Sequence, residues 1–341
     1  MGCPIGDILE KEAISLDFLN GRIVGIDSFN MLYQFLSIIR GQDGSLLSDS
    51  RGRATSHLSG LFYRTTSLVE KGIKPVFVFD GKPHKLKGAT QEKRRTARKE
   101  AEKKFAEAKA MGRLDEAKKF AMQSTQLTDE IIESGKKLIE LMGFPIVQAP
   151  SEGEAQIATM VSRGELFGCV SQDYDALLFG ATELLRNIAI SGKRKAPGKN
   201  YFVDVAPERI SLAASLKKLG IDRKKLIWIA ILVGTDFNKK LPKIGAKTAL
   251  KLVQENDSFE KIIKKTGFEP GFDYREIEQI FLKPESNEDY SLKFKTPETQ
   301  KIKEFLVEEH DFSIERVQNT LERLVQKSEE KGKQARLDAW K

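Results

Sequence analysis

The stretch RIVGIDSFNMLYQFL (22–36) changes its period at Asp27. The residues up to Asp27 form a short apolar run of the kind that fills a buried strand. Beyond it, apolar residues recur at three- and four-residue spacing through Phe35 and Leu36, which is the pattern of a helix. The same step repeats along the chain. PVFVFD (75–80) is rich in β-formers and stops at Asp80-Gly81, and PIVQAP (145–150), FGCVSQD (167–173) and LLRNIAI (184–190) read as further strands. HLSGLFYRTTSLVEKG (57–72), IIESGKKLIELMG (131–143) and EAQIATMVSRG (154–164) read as helices that end on glycine. This alternation predicts an α/β fold with a mostly parallel central sheet covered by helices on both faces. After residue 206 the strands are expected to stop. ERISLAASLKKLG, RKKLIWIAILVG, KTALKLVQEN and SIERVQNTLERLVQK all carry helical spacing, so a helical second half packs on the core. GQDGSLLSDSRG (41–52), SGKRKAPGKN (191–200) and KPESNEDYS (283–291) read as loops.

Of 341 residues, 40% are apolar and 31% charged, which supplies a sizeable core and excludes a wholly disordered chain. Cys3 and Cys169 are too few for a disulfide framework, which suits a reducing compartment. His57, His84 and His310 match no zinc spacing. The longest apolar run, LIWIAILVG (226–234), is half of the roughly 18 residues that a membrane span needs. No secretory signal opens the chain, and position 6 is Gly where a myristoylation signal has Ser or Thr. The expectation is a cytoplasmic protein with no membrane partner. Its net charge is +8, and that surplus sits in one place: residues 82–119 hold 14 Lys or Arg against 6 Asp or Glu. Ala97, Ala101, Phe105 and Ala108, then Leu114, Ala117 and Phe120, fall at helical spacing on either side of Gly112. The segment therefore reads as a basic helical hairpin with a thin apolar stripe, inserted into the α/β core.

Carboxylates gather at the ends of the predicted strands. Asp27 closes the first, Asp80 the second, Glu152 and Glu154 follow the third, and Asp173 and Asp175 follow the fourth. Asp236 follows the apolar run at 226–234. Each has a local explanation as a helix cap, a capping box (Ser151 with Glu154) or a turn former. In a parallel sheet, however, the carboxyl ends of the strands share one rim, where such folds bind ligands. Seven carboxylates there repel one another and require a cationic partner. Mg²⁺, with Mn²⁺ as the alternative, suits a set made of oxygen donors. Two ions about 4 Å apart use seven carboxylates better than one, and such a pair serves phosphodiester hydrolysis. No phosphate-binding GxxxxGK[ST] loop and no G-x-G-x-x-G fingerprint is present.

FDGKP (79–83), APSEGEAQ (149–156), SQDYDALLFG (171–180) and GTDFN (234–238), in this order and spacing, resemble the flap endonucleases, structure-specific 5′ nucleases that include the XPG nucleases. The resemblance runs from Gly2 to Trp340 and is greatest to archaeal members. It implies a PIN-like 5′-nuclease core over residues 1–330, with an N-terminal nuclease region (1–100), a helical arch (82–130), an internal nuclease region (131–240) and a helix–hairpin–helix-like motif (225–256). A flexible tail (331–341) would follow. It implies that Asp27, Asp80, Glu152, Glu154, Asp173, Asp175 and Asp236 bind two Mg²⁺ ions, with Asp173 essential to catalysis. Lys87 and Arg94 match the arch-base residues that contact the scissile phosphate. Tyr33 matches the aromatic that stacks a base, and Arg40, Thr55 and Arg64 fall where the family receives a 3′ flap.

In the helix–hairpin–helix-like motif, DNA contact falls on Lys243, Gly245 and Lys247, and a K⁺ ion accompanies the motif in the family. Lys240 and Lys243 stand where the family has glycine. Gln334, Leu337 and Trp340 match the box that binds the sliding clamp (proliferating cell nuclear antigen), with Lys341 where the second aromatic would be. The implied activity is Mg²⁺-dependent cleavage near the base of 5′ flaps, with 5′–3′ exonuclease activity, by a monomer that acts on flapped, nicked and branched DNA in replication and repair. An archaeal member would be nucleoid-associated. Two rival readings remain at this level: a haloacid-dehalogenase-like phosphatase that uses Asp173-x-Asp175, and a non-catalytic, clamp-tethered DNA-binding module.

Overall fold

The computed structural model describes residues 2–189, 192–195, 202–268 and 271–338. Nine strands appear among them: β1 (Glu12–Ala13), β2 (Ile23–Asp27), β3 (Lys74–Phe79), β4 (Ile146–Gln148), β5 (Gly168–Val170), β6 (Glu183–Arg186), β7 (Gly192–Lys195), β8 (Phe202–Val205) and β9 (Glu208–Ser211). Seven form one sheet in the order β1-β9-β6-β5-β2-β3-β4. The five strands from β4 to β6 in this order are parallel, and β9 and β1 add antiparallel at one edge.

Side chains alternate across β3 as the strand period requires. Val76 and Val78 enter the core formed by the Gly153–Ser162, Arg223–Val233 and Ala246–Glu255 helices. Phe77 and Phe79 enter the core formed by the Ser28–Ile38 and Asp129–Leu141 helices and the C-terminal helices. One sheet thus separates two cores, and the Arg223–Val233 helix is buried at every residue from Leu226 to Val233. Burial on all sides explains why its sequence looks like a membrane span cut short.

The basic segment forms two helices, Gly88–Ala110 and Leu114–Gln123, joined by a turn in which Gly112 takes φ 68°. Ala101, Ala108, Ala117 and Ala121 bury their methyl groups, with Phe105 and Phe120 half-buried. Ala97 and Leu114, expected in the stripe, are exposed. The hairpin is tied to the 41–52 segment. Lys109 Nζ lies 2.7 Å from Asp43 Oδ2, and Arg40 Nη2 donates to Thr125 Oγ1 at 2.7 Å.

Four sequence expectations need correction. ERIS does not begin a helix: it is β9, paired with β6, and the helix starts at Leu212, where Ser211 accepts from the Ala214 amide. Within 191–200, residues Gly192–Lys195 pair with β8 rather than forming a loop. The strand in LLRNIAI ends at Arg186 because Asn187 takes φ 60° and turns the chain. The tail expected to be flexible from residue 331 continues the Ile314–Asp338 helix. The segment KGKQARLD is made mostly of strong helix formers, so nothing in it stops the helix. Trp340 lies outside the described residues.

Candidate active site

The register sets the site. Asp27 is level with Val78 of β3, and Ile26 with Val170 of β5, so β2, β3 and β5 end at the same rim. From β2 the chain adds β3 and β4 on one side, then returns to lay β5 and β6 on the other. The winding reverses between β2 and β5, and the loops there diverge to leave a crevice.

Asp27 stands at this reversal. It caps the Ser28–Ile38 helix, accepting the Asn30 amide at 3.0 Å on Oδ1, and accepts Ser171 Oγ at 3.1 Å on Oδ2. Capping and site membership thus coexist in one carboxylate. Burial, then Asp80, push its pKa up to about 8. Asp80 accepts the Gly153 amide at 2.8 Å, and its pKa is raised to about 6 by burial and then Glu152. A Cβ on Gly153 would lie 2.6 Å from Asp80 Oδ1, so only glycine lets this helix start against the carboxylate. Asp175 accepts the Cys3 amide at 2.8 Å, and its pKa is raised to about 7 by burial and then Asp173. Glu154 is held well above the carboxylate range by burial, then by Asp27, Asp175 and Asp173. Its Oε1 is shielded from solvent and has no hydrogen-bond partner.

Of the other three, Asp173 accepts Asn30 Nδ2 at 3.3 Å, and Glu152 and Asp236 are paired with the arch base. Lys87, in the Lys85–Lys87 turn, contacts Glu152 and lies 3.6 Å from Asp236. Arg94, two turns up the first arch helix, lies 2.5 Å from Asp236. Burial tends to lower the Lys87 pKa, but Glu152, Asp236 and Asp175 outweigh it and the net shift is upward. All seven carboxylates therefore lie along one rim. Among the described residues no group of three His, Cys, Asp or Glu side chains is gathered closely enough to hold a metal ion as it stands, and Lys87 and Arg94 occupy Glu152 and Asp236.

The donor set nevertheless fits a hard divalent cation. It consists of carboxylate oxygens, four of them held above their ordinary range, with an unpartnered oxygen on Glu154. This carries a pH signature. Near pH 5 an unfolded chain has released the protons of these carboxylates, whereas the folded, metal-free chain retains them. Folded stability without metal must therefore fall as pH climbs through about 6 to 8, the values raised for Asp80, Asp175 and Asp27. The melting-temperature gap between Mg²⁺ and EDTA is expected to widen from pH 5 to pH 8. A gap that stays constant would show that these groups do not meet the metal. Comparing Mg²⁺ with EDTA cancels the opposing contribution of His57, whose pKa burial lowers to about 3.

The remaining expected residues scatter. Tyr33 is half-buried one turn beyond Asn30. Arg40 also donates to Gly44 O at 2.8 Å, while its Nε is buried without a partner. Thr55 is buried, at 6% exposure, whereas Arg64 is exposed. Lys243, Gly245 and Lys247 are exposed around the start of the Ala246–Glu255 helix. Lys243 adopts φ 61°, so the turn retains the left-handed geometry that glycine would favour. Gln334 and Leu337 lie on the C-terminal helix, far along the chain from the rim residues. Sequence reasoning missed Asn30, Ser171, Gly153 and the N-terminal segment. A Cβ on Gly2 would come within 2.8 Å of both Asp173 and Asp175. Asn30, three residues past a capping Asp, and Ser171, directly after β5, were the readable signals.

Two family models match the chain: the XPG N-terminal domain over residues 5–101 and the XPG I-region over 143–236. The chain is 52% identical over 342 residues to flap endonuclease 1 of Pyrococcus abyssi, covering 100% of this chain and 98% of the relative. It is 50% identical over 341 residues to flap endonuclease 1 of Methanosarcina acetivorans, covering both chains fully at 100%. Among solved structures, flap endonuclease-1 from Methanococcus jannaschii superposes with a TM-score of 0.77 at 40% identity, covering 97% of this chain and 100% of that one. The catalytic core of Rad2 in complex with a DNA substrate shares the fold, with a TM-score of 0.68 at 23% identity over 94% of this chain and 98% of that one.

Proposed function

Because this chain belongs to the flap endonuclease family of structure-specific 5′ nucleases, we propose that its seven rim carboxylates hold two Mg²⁺ ions, with Mn²⁺ able to replace them, and that the arch base supplies the cations facing the scissile phosphate. The activity is that of a 5′ flap endonuclease in replication and repair, and 5′–3′ exonuclease action is part of the proposal. The observation that carries the metal reading is the desolvated carboxylate group at the β2/β5 reversal, with Glu154 Oε1 unpartnered. Such ions supply an activated water and neutralise charge at the phosphodiester. Asp27, Asp80, Glu154, Asp173 and Asp175 hold them from the sheet side, and Glu152 and Asp236 from the side that meets the arch.

Lys87 and Arg94 already lie against that outer pair, within reach of an anion brought to the rim. Once their carboxylates turn to metal, both cations are available to a phosphate. The arch above them carries the chain's whole basic surplus, which suits a single-stranded 5′ flap guided by charge rather than by base identity. A phosphatase reading leaves that arch without a role, and a mere binding module would be hindered by seven carboxylates facing DNA. The test is a labelled set of 5′ flap, 3′ flap, nicked duplex and single strand, each with Mg²⁺ or EDTA. Metal-dependent cutting near the 5′ flap junction is expected, and its absence would sink the reading.

Duplex contact is assigned to Lys243, Gly245 and Lys247, with K⁺ as the accompanying ion, and Arg40, Thr55 and Arg64 to the strand carrying the 3′ end. Tyr33 is assigned to base stacking. The left-handed Lys243 retains the hairpin turn and adds an ammonium group to it. Lys243→Gly is expected to reduce the slope of log affinity against log salt on nicked duplex by about 1, with weaker binding at low salt. An unchanged slope would remove Lys243 from the phosphate contacts. Gln334, Leu337 and Trp340 are assigned to sliding-clamp binding, and the enzyme is taken to act as a monomer.

A further inference from the structure

We infer that Asn30 is a positioning residue of the metal centre: its side-chain amide fixes the Asp173 carboxylate against Asp27 across the β2/β5 reversal. The inference rests on the metal reading above and concerns a residue to which that reading gives no role.

Asn30 touches both carboxylates. Its backbone N–H donates to Asp27 Oδ1 at 3.0 Å, and its Nδ2 donates to Asp173 Oδ2 at 3.3 Å. The orientation of the amide follows from the chemistry of its neighbours. Oδ1 accepts from the Gln172 backbone N–H at 3.2 Å, which can only donate, and from Gln34 Nε2. A flipped amide would set its donor against the Gln172 N–H and its acceptor against the Asp173 carboxylate. Asn30 is therefore locked with its donor toward Asp173. Ser171 closes the circuit, donating from Oγ to Asp27 Oδ2 at 3.1 Å and accepting the Asp173 N–H at 3.2 Å.

Two carboxylates that repel each other, one ending β2 and one following β5, are thus linked through Asn30, by its backbone N–H and its side-chain amide, with Ser171 tying Asp27 to the Asp173 backbone. Neighbours that orient ligating carboxylates are worth about 10- to 100-fold in metal affinity. Gln34 serves as the control. It also bonds to the Asn30 carbonyl and sits one helical turn on, but no bond from it to a rim carboxylate is seen.

The experiment measures Mn²⁺ binding to the full-length, DNA-free protein by the loss of the free-ion electron paramagnetic resonance signal. It compares wild type, Asn30→Ala, Gln34→Ala and Asp173→Ala, with melting curves of each in EDTA. Expected is binding about 10-fold or more weaker in Asn30→Ala, a change under about 3-fold in Gln34→Ala, and melting of both close to wild type. The Mg²⁺ concentration for half-maximal flap cutting should rise in parallel in Asn30→Ala, with the saturated rate much less affected. Wild-type binding in Asn30→Ala, while Asp173→Ala has lost it, overturns this inference alone. Equal losses in Asn30→Ala and Gln34→Ala, or a collapsed melt in Asn30→Ala, also overturn it, because the side chain would then support the helix rather than the ion. Identical binding by wild type and Asp173→Ala refutes the metal reading, and the inference falls with it.

Discussion

Asp173→Ala is expected to lower the single-turnover rate on a 5′ flap by about a thousandfold or more while leaving flap binding in EDTA nearly unchanged. Asp173 lies in the loop after β5 at the winding reversal, and it raises the pKa of both Asp175 and Glu154. It is therefore close to both, where an ion would be shared. Losing it would remove a proposed ligand and leave the Asn30 amide without its acceptor. Several kcal/mol of charge stabilisation depends on such a centre, and each 1.36 kcal/mol is about tenfold in rate. Flap binding is expected to survive because the basic residues proposed to hold DNA, on the arch and near Lys243, remain in the variant. Asp173→Ala cutting at a normal rate would exclude Asp173 from the site. Loss of binding in step with loss of cutting would point instead to a misfolded rim.

Lys87→Ala should slow the chemical step by about 10²- to 10³-fold, with a modest change in flap affinity. It should also have an effect that needs no DNA. Lys87 is the half-buried counter-ion of Glu152 and lies near Asp236, so removing it leaves Glu152 uncompensated while Asp236 keeps only Arg94. Breaking a buried pair costs about 3 kcal/mol, somewhat less here because both side chains keep some solvent contact, at 16% and 15% exposure. The variant should melt below wild type in EDTA, and Mg²⁺ should restore most of the difference. An unchanged single-turnover rate would return Lys87 to the ordinary solvated charges of the arch. A melting loss that Mg²⁺ does not repair would show that the ammonium group holds the fold and not the metal's place.

Much of this was legible in sequence because it is local. Periodicity found β2, β3, β4, β5 and the helices between them, and the carboxylates could be placed on one rim because parallel strands leave no other option. The helical hairpin was visible as charge with an interrupted apolar stripe. What escaped is decided by distant partners. ERIS looks helical by spacing until β6 offers it an antiparallel edge, and the 191–200 segment reads as loop because only its pairing with β8 makes it a strand. Asn30 is an ordinary residue on a helix until folding brings Asp173 beside it. The ion pairs of Lys87 and Arg94 also had to be seen. Composition gathered the cations in residues 82–119 and the resemblance set them over the rim, but neither could show them seated on Glu152 and Asp236.

The bonds that assemble this rim join residues far apart in the chain: Cys3 to Asp175 across 172 positions, Asn30 to Asp173 across 143, and Arg94 to Asp236 across 142. Contacts of such separation form late, after the entropy of closing long loops has been met. A nascent polypeptide still lacking Asp236 has no complete centre, and neither does any proteolytic fragment that stops short of it. On the proposed metal reading, the capacity to cut DNA is withheld until about two thirds of the polypeptide has been made and has folded back onto its own first residues.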